Sequence, residues 1–119
     1  MPEFEVDFFK KENGDCPVEE FLNSLDRKMR AKLLLGFALL EANGPQLREP
    51  YSKPIGDGIF ELRAKQGSNI TRVLYFFFVG RKIVVTNGFT KKTQKTPACE
   101  IDTAKKYRAE YLRRKGELP

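Results

Sequence analysis

The sequence contains no histidine, and this absence narrows the chemistry that the chain can perform. Histidine-based catalytic triads, Cys–His dyads, histidine acid–base pairs and histidine-ligated zinc sites are all excluded. Only two cysteines occur, Cys16 and Cys99, without a CxxC pair, so we predict two reduced thiols rather than a disulfide or a metal cluster. Any catalysis must therefore use Lys, Arg, Tyr, Asp, Glu or a hydroxyl group.

Long apolar segments are also missing. The two longest, at residues 33–40 and 73–79, are far shorter than the roughly 20 apolar residues that span a bilayer. Residues 3–8 alternate between acidic and apolar instead of forming the basic start and apolar stretch of a secretory signal. With 40% hydrophobic and 32% charged residues, the chain is expected to form one globular, cytoplasmic domain over residues 1–119.

Charge is unevenly distributed along the chain, although the formal net charge is only +6. Residues 1–50 hold 7 Lys/Arg and 10 Asp/Glu, a net charge of −3, whereas residues 51–119 hold 15 Lys/Arg and 6 Asp/Glu, a net charge of +9. A strongly basic segment suits a polyanion such as RNA, DNA or an acidic protein segment. The alternative is a basic surface that serves solubility alone.

The first half of the chain predicts one strand and a helical hairpin. Apolar residues alternate over residues 3–9, which is typical of a half-buried strand. Pro17 suits a first helical position, and a second helix would begin near Ser24 or Asp26. The second helix would end at residue 43, where an Asn-Gly-Pro sequence stops it. Its inner face, set by helical spacing, would consist of Met29, Leu33, Phe37 and Leu40.

The second half predicts three strands and a last helix. Residues 44–58 hold three prolines and three glycines, and we interpret them as a loop. A helix would open at Pro97, with acidic residues early and basic residues late. The order β-α-α-β-β-β-α, with an antiparallel twisted sheet, indicates an α+β fold of two layers. The three β patterns, separated by short turns, lie at residues 59–65, 70–79 and 82–90.

Alternation assigns the charged residues of these strands to faces of the sheet. In the first of the three strands, Arg63 shares a face with Glu61 and points away from the main core. The next strand is apolar on both faces, so we expect it to be central, and Arg72 within it needs a partner or an open cleft. Two interpretations of Arg72 stay open: an ion pair with Glu61, or a role in binding an anion.

The last strand runs directly into a basic segment. Phe89 is followed closely by Lys91, Lys92 and Lys95. A ring that can stack on a base, next to cations that can bind phosphates, is typical of RNA contacts. Together with the arginines of the two preceding strands, this segment predicts a convergent basic cleft.

Three segments of the chain resemble one protein family. They read IFELR at residues 59–63, TRVLYF at residues 71–76 and GFTKKTQKTP at residues 88–97, and the early helix predicted from Pro17 also fits. In this order they resemble the RelE/ParE toxin superfamily, and within it the phage-derived, HigB-like branch. The likeness covers almost the whole chain, and the last motif is the most specific of the three.

The resemblance implies a RelE-like fold and a toxin of a type II toxin–antitoxin system. Such a toxin would cut messenger RNA on the ribosome and would be neutralised by a helix-turn-helix antitoxin. The implied reaction is attack of a 2′-hydroxyl on the adjacent phosphorus, which needs a base, charge stabilisation and an acid, but neither a metal nor a cofactor. Lysines crowded by other cations could transfer protons, while the permanently charged arginines suit phosphate binding.

The same resemblance implies a set of site residues. The candidate catalytic residues are Arg63, Arg72, Lys91, Lys92 and Lys95. The candidate RNA-binding residues are Lys65, Tyr75, Phe89 and Thr93. The sequence does not assign the base and the acid among the lysines. Two other functions stay open: a ParE-like inhibitor of DNA gyrase on the same scaffold, and a toxin-like protein that only binds its partner.

Overall fold

The fold is a five-stranded sheet with helices on both of its faces. The computed structural model describes residues 3–91 and 95–117, without the side chains of residues 91 and 117. The predicted α+β class is confirmed. In chain order the elements are β1 (Glu5–Phe8), α1 (Pro17–Ser24), α2 (Arg27–Asn43), a 3-10 turn (Gly44–Gln46), β2 (Ser52–Gly56), β3 (Ile59–Gln66), β4 (Asn69–Phe78), β5 (Lys82–Lys91) and α3 (Ala98–Glu117).

The sheet has the order β1-β5-β4-β3-β2. Strands β2 to β5 pair antiparallel, as predicted, but β1 lies parallel to β5, with Val6 beside Ile83. The expectation of a wholly antiparallel sheet is therefore wrong for β1. A parallel pair needs a long crossover connection, and the helical hairpin and three strands that separate β1 from β5 in the chain supply it.

One strand was missed in the segment that we interpreted as a loop. Within residues 44–58, β2 pairs antiparallel with β3 and places Ser52 opposite Leu62. Pro54 lies in this strand and cannot donate a backbone hydrogen bond, which is tolerated because β2 is at the edge of the sheet. A register shift between Pro54 and Gly56 further interrupts the pairing.

The N-terminal hairpin forms as the sequence predicts. Pro17 occupies the first turn of α1, and Asp26 caps α2, since its Oδ1 accepts a hydrogen bond of 2.7 Å from the backbone N–H of Met29. All four predicted inner-face residues of α2 are buried. At Gly36, a Cβ atom would lie 3.2 Å from the side chain of Leu62, so glycine permits the close approach of α2 to β3.

The helices cover the two faces of the sheet and create separate cores. On one face α1 and α2 pack over a cluster that includes Leu62, Val73 and Val85. On the other face α3 packs over smaller clusters, including Leu74 with Ala104. The fold therefore has three layers rather than the two expected, since helices cover both faces of the sheet. As its composition indicates, β4 is consequently buried on both faces. Within the described residues, no helix is long and apolar enough to cross a membrane.

Candidate active site

The strand register places three of the candidate residues in one row across the sheet. Arg63 of β3 pairs with Arg72 of β4, and Arg72 pairs with Phe89 of β5. Because directly paired residues project from the same face, all three belong to the face that α3 partly covers. The predicted convergence of the two arginines is therefore present, and we call Arg63, Arg72 and Phe89 the arginine row.

A single carboxylate lies at the centre of this arrangement. Glu61 is 1% exposed and receives contacts from three parts of the chain. Its Oε2 accepts a hydrogen bond of 3.0 Å from Nε of Arg63, and its Oε1 lies 3.4 Å from Nε of Arg72. The hydroxyl of Thr96 donates to the same Oε1 over 2.6 Å. Glu61 thereby joins β3, β4 and the segment that leads into α3.

Arg72 is fully buried, with 0% of its side chain exposed. The ion pair with Glu61, one of the two interpretations left open by the sequence, is present. Nη1 of Arg72 also donates to the backbone carbonyl of Lys95 over 3.5 Å, and its guanidinium carbon lies 5.9 Å from the ring centroid of Phe89. Burial lowers the pKa of Arg72 below its ordinary value although the nearby Glu61 opposes this shift, and the arginine still stays charged.

The two arginines therefore differ in what they can reach. The side chain of Arg63 is 18% exposed, so it is the member of the pair that an external phosphate can contact. Arg72 contacts other protein groups, and its predicted phosphate contact stays a prediction. The two guanidinium groups flank the single carboxylate of Glu61, so these three side chains together carry a net positive charge.

Phe89 packs inside the protein. Its ring is 7% exposed and belongs to the cluster formed by Ile59, Leu74 and Ala104 beneath α3. Its predicted role, stacking on a nucleotide, stays a prediction, whereas its contact with the guanidinium of Arg72 is part of the structure. The sequence predicted an aromatic ring beside lysines, but not that α3 would cover this ring.

Among the described residues, Lys91 is the last residue of β5 and Lys95 follows it shortly in the chain. Lys95 is exposed, and Lys91 pairs through its backbone with Ile70 of β4. The side chain of Lys91, and Lys92 and Thr93 as a whole, lie outside the described residues. Lys65 is exposed and lies near the end of β3, shortly after Arg63 on the same strand.

Tyr75 lies apart from the other candidates. It projects from the opposite face of the sheet, is 1% exposed, and stacks on Phe60 with ring centroids 5.5 Å apart. Its hydroxyl forms a short hydrogen bond with that of Ser52. Burial raises the pKa of Tyr75, and the hydrogen bond to Ser52 opposes this shift. The structure therefore does not bring Tyr75 together with the arginine row.

Sequence reasoning missed two further groups next to the row. Thr96 gave no signal of its own, because nothing local shows that its hydroxyl reaches Glu61. Asn87 is buried, and its Nδ2 donates to Oε1 of Glu100 in the first turn of α3 over 3.1 Å. Both contacts attach the start of α3 to the sheet. In the described ranges, no group of three or more Cys, Asp or Glu side chains is placed to hold a metal ion.

A comparison of the sequence with models of known protein families identifies the family of this chain. The sequence profile described as phage-derived protein Gp49-like matches residues 20–109. The chain belongs to this family. The match includes every residue of the arginine row, as well as Glu61 and Thr96. Together with the relatives named HigB1 that are described next, this match supports the predicted resemblance to phage-derived, HigB-like toxins.

Two curated relatives carry a functional name. Both are called probable endoribonuclease HigB1, from Mycobacterium tuberculosis strains CDC 1551 / Oshkosh and ATCC 25618 / H37Rv. Each is 39% identical to this Gp49-like protein over 67 residues, which is 56% of this chain and 53% of the relative. The aligned region thus spans about half the length of each relative.

Proposed function

We propose that this protein is the toxin of a toxin–antitoxin pair, and an endoribonuclease that cuts messenger RNA on the ribosome in the cytoplasm. The observation that carries the proposal is the arginine row, in which Arg63 and Arg72 share one buried carboxylate. Membership of the Gp49-like family and the name endoribonuclease of the HigB1 relatives support it. The partner would be a helix-turn-helix antitoxin.

The charges of the site suit a phosphodiester. Arg63 is partly exposed and stands beside Arg72, while Glu61 neutralises only one of the two positive charges. Lys65 and Lys95 add exposed cations. A fixed cation beside the phosphoryl oxygens would stabilise the negative charge that develops on them during attack. Such electrostatic stabilisation is commonly the largest single contribution to the rate enhancement.

The reaction we propose is an internal transesterification. The 2′-oxygen of one nucleotide attacks the adjacent phosphorus while its proton passes to a base, and the 5′-oxygen of the next nucleotide leaves with a proton from an acid. The products are a 2′,3′-cyclic phosphate and a free 5′-hydroxyl. Arg63 would bind the phosphate, and Lys91, Lys92 and Lys95 would share the proton transfers, assisted by the cations around them.

Cell-free translation tests this function directly. Purified protein would be added to a reaction with a defined messenger RNA, and 5′ ends would be mapped by primer extension with and without ribosomes. We expect cuts in phase with codons that appear only when ribosomes translate the message. Intact messenger RNA, at a protein dose that arrests growth in cells, would contradict the proposal, and a supercoiling assay with purified gyrase would then test inhibition of that enzyme.

A further inference from the structure

Glu61 is a buried charge whose presence is not explained by stability alone. It is 1% exposed, and removal of a carboxylate from water costs several kcal/mol that an ion pair repays only with good geometry. Buried ion pairs are therefore weak stabilisers compared with apolar packing of the same volume. The contacts of Glu61 instead join three separate segments of the proposed site.

The first set of contacts orients the arginines. Nε of Arg63 donates to Oε2 of Glu61 over 3.0 Å, which fixes the direction of a planar guanidinium. Arg72 lies against Oε1 of the same carboxylate at 3.4 Å. One rigid, buried group thus sets the position of the partly exposed arginine relative to the buried one.

The second set of contacts holds the backbone before α3. Thr96 is 8% exposed, and its hydroxyl donates to Oε1 of Glu61 over 2.6 Å. The preceding residue, Lys95, accepts a hydrogen bond from Arg72 through its carbonyl, while its side chain is exposed. Two adjacent residues are therefore anchored to the same Glu61–Arg72 pair, and the lysine side chain extends from an anchored backbone.

From these contacts we infer that Glu61 is a positioning residue, which holds Arg63 and Lys95 in a fixed relation through Arg72 and Thr96. The inference rests on the proposed function, because the two positioned cations are those we expect to meet RNA. Glu61 acts through these residues and does not touch the substrate. The bond between Thr96 and Glu61 is the part of the arrangement that a single substitution can isolate.

Thr96→Val is the decisive variant. Valine has the shape of threonine and leaves Glu61 with both arginines, but it removes the hydroxyl that binds Oε1. We expect kcat for ribosome-dependent cleavage to fall about tenfold to a hundredfold with little change in KM, because a small misplacement of a reacting group has effects of this size. Thr96→Ser, which keeps the hydroxyl, is the matched control and should restore most of the activity.

A second readout does not require activity. Trypsin can cut after Lys95 only when the segment detaches from the sheet, so the rate at this bond reports how well Thr96 is anchored. Loss of a hydrogen bond to a buried carboxylate should raise that rate about tenfold or more in Thr96→Val, but not in Thr96→Ser. The rates would be measured by mass spectrometry under conditions in which thermal denaturation shows all three proteins to be folded.

The outcomes separate the two proposals. Faster trypsin cleavage together with reduced kcat in Thr96→Val, both reversed in Thr96→Ser, supports the positioning role. Wild-type kcat in Thr96→Val overturns it, whatever trypsin shows, and an unchanged trypsin rate shows that the bond does not anchor the segment. If the wild-type protein leaves messenger RNA intact, the proposed function fails together with the role of Glu61 in cleavage, while the trypsin rates still decide whether the anchor exists.

Discussion

Replacement of Arg63 by glutamine separates its contribution to catalysis from its contribution to stability. Glutamine is shorter than arginine and neutral, so it removes the one guanidinium of the pair that is partly exposed. Loss of one hydrogen-bond donor that stabilises a developing oxyanion typically lowers kcat by about 10²–10³. We therefore expect Arg63→Gln to reduce ribosome-dependent cleavage by that factor.

The cost in stability should be moderate. Glu61 loses its hydrogen bond of 3.0 Å from Arg63 but keeps Arg72 and Thr96 as partners, so its charge stays compensated. Loss of one hydrogen bond to a charged group costs about 1.5–3 kcal/mol. Urea denaturation should show a loss of this size in the free energy of unfolding, with the m-value unchanged.

Arg81→Gln is a matched control for charge. Arg81 is exposed in the turn between β4 and β5, at the opposite end of β4 from Arg72, and the substitution removes the same charge from the protein. We expect Arg81→Gln to cut messenger RNA at the wild-type rate. Cleavage by folded Arg63→Gln at the wild-type rate, or an equal loss in both variants, would refute the assignment of phosphate binding to Arg63.

Three further predictions concern packing, pH and salt. Gly88→Ala should lower the free energy of unfolding in urea by about 1–3 kcal/mol, because its Cβ would lie 2.5 Å from the ring of Phe21; an unchanged midpoint would contradict this packing. Burial raises the pKa of Tyr75, so its contribution to stability is present below the ordinary tyrosine value of 10.0 and is lost as pH rises through the folded value. Tyr75→Phe should therefore lose less stability than wild type in alkaline urea titrations, and parallel pH profiles would count against it. The logarithm of the binding constant for ribosomes that carry messenger RNA should fall linearly with the logarithm of the salt concentration, with a slope about one unit smaller in Arg63→Gln. A binding constant insensitive to salt would exclude phosphate contacts.

Local sequence patterns predicted the features that depend only on residues within one segment of the chain. The apolar face of α2 and the shared face of Glu61 and Arg63 follow from spacing along one segment. Asp26, which caps α2, is one of the two start positions that the sequence left open. Alternation also places Tyr75 and Arg72 on opposite faces, since an odd number of positions separates them. The position of Tyr75 away from the arginine row was thus available from the sequence.

Features that depend on pairing between distant segments could not be predicted in this way. The Pro and Gly residues of β2 weaken its strand signal, and the strand forms because the edge of β3 is available to it. The direction of β1 depends on which strand it joins, a choice that its own alternation does not encode. The central place of Glu61 requires the register that sets Arg63 beside Arg72, and its bond to Thr96 spans 35 residues.

The most direct test of the central claim is a single change in the RNA rather than in the protein. A messenger RNA with one 2′-deoxynucleotide at a mapped cleavage site would be translated alongside an all-ribose message, and cleavage at that site would be measured by primer extension. Attack by the 2′-hydroxyl predicts that the deoxy message survives at this position, while the ribose message yields a 5′ end that polynucleotide kinase can phosphorylate. Equal cleavage of both messages would contradict the proposed chemistry.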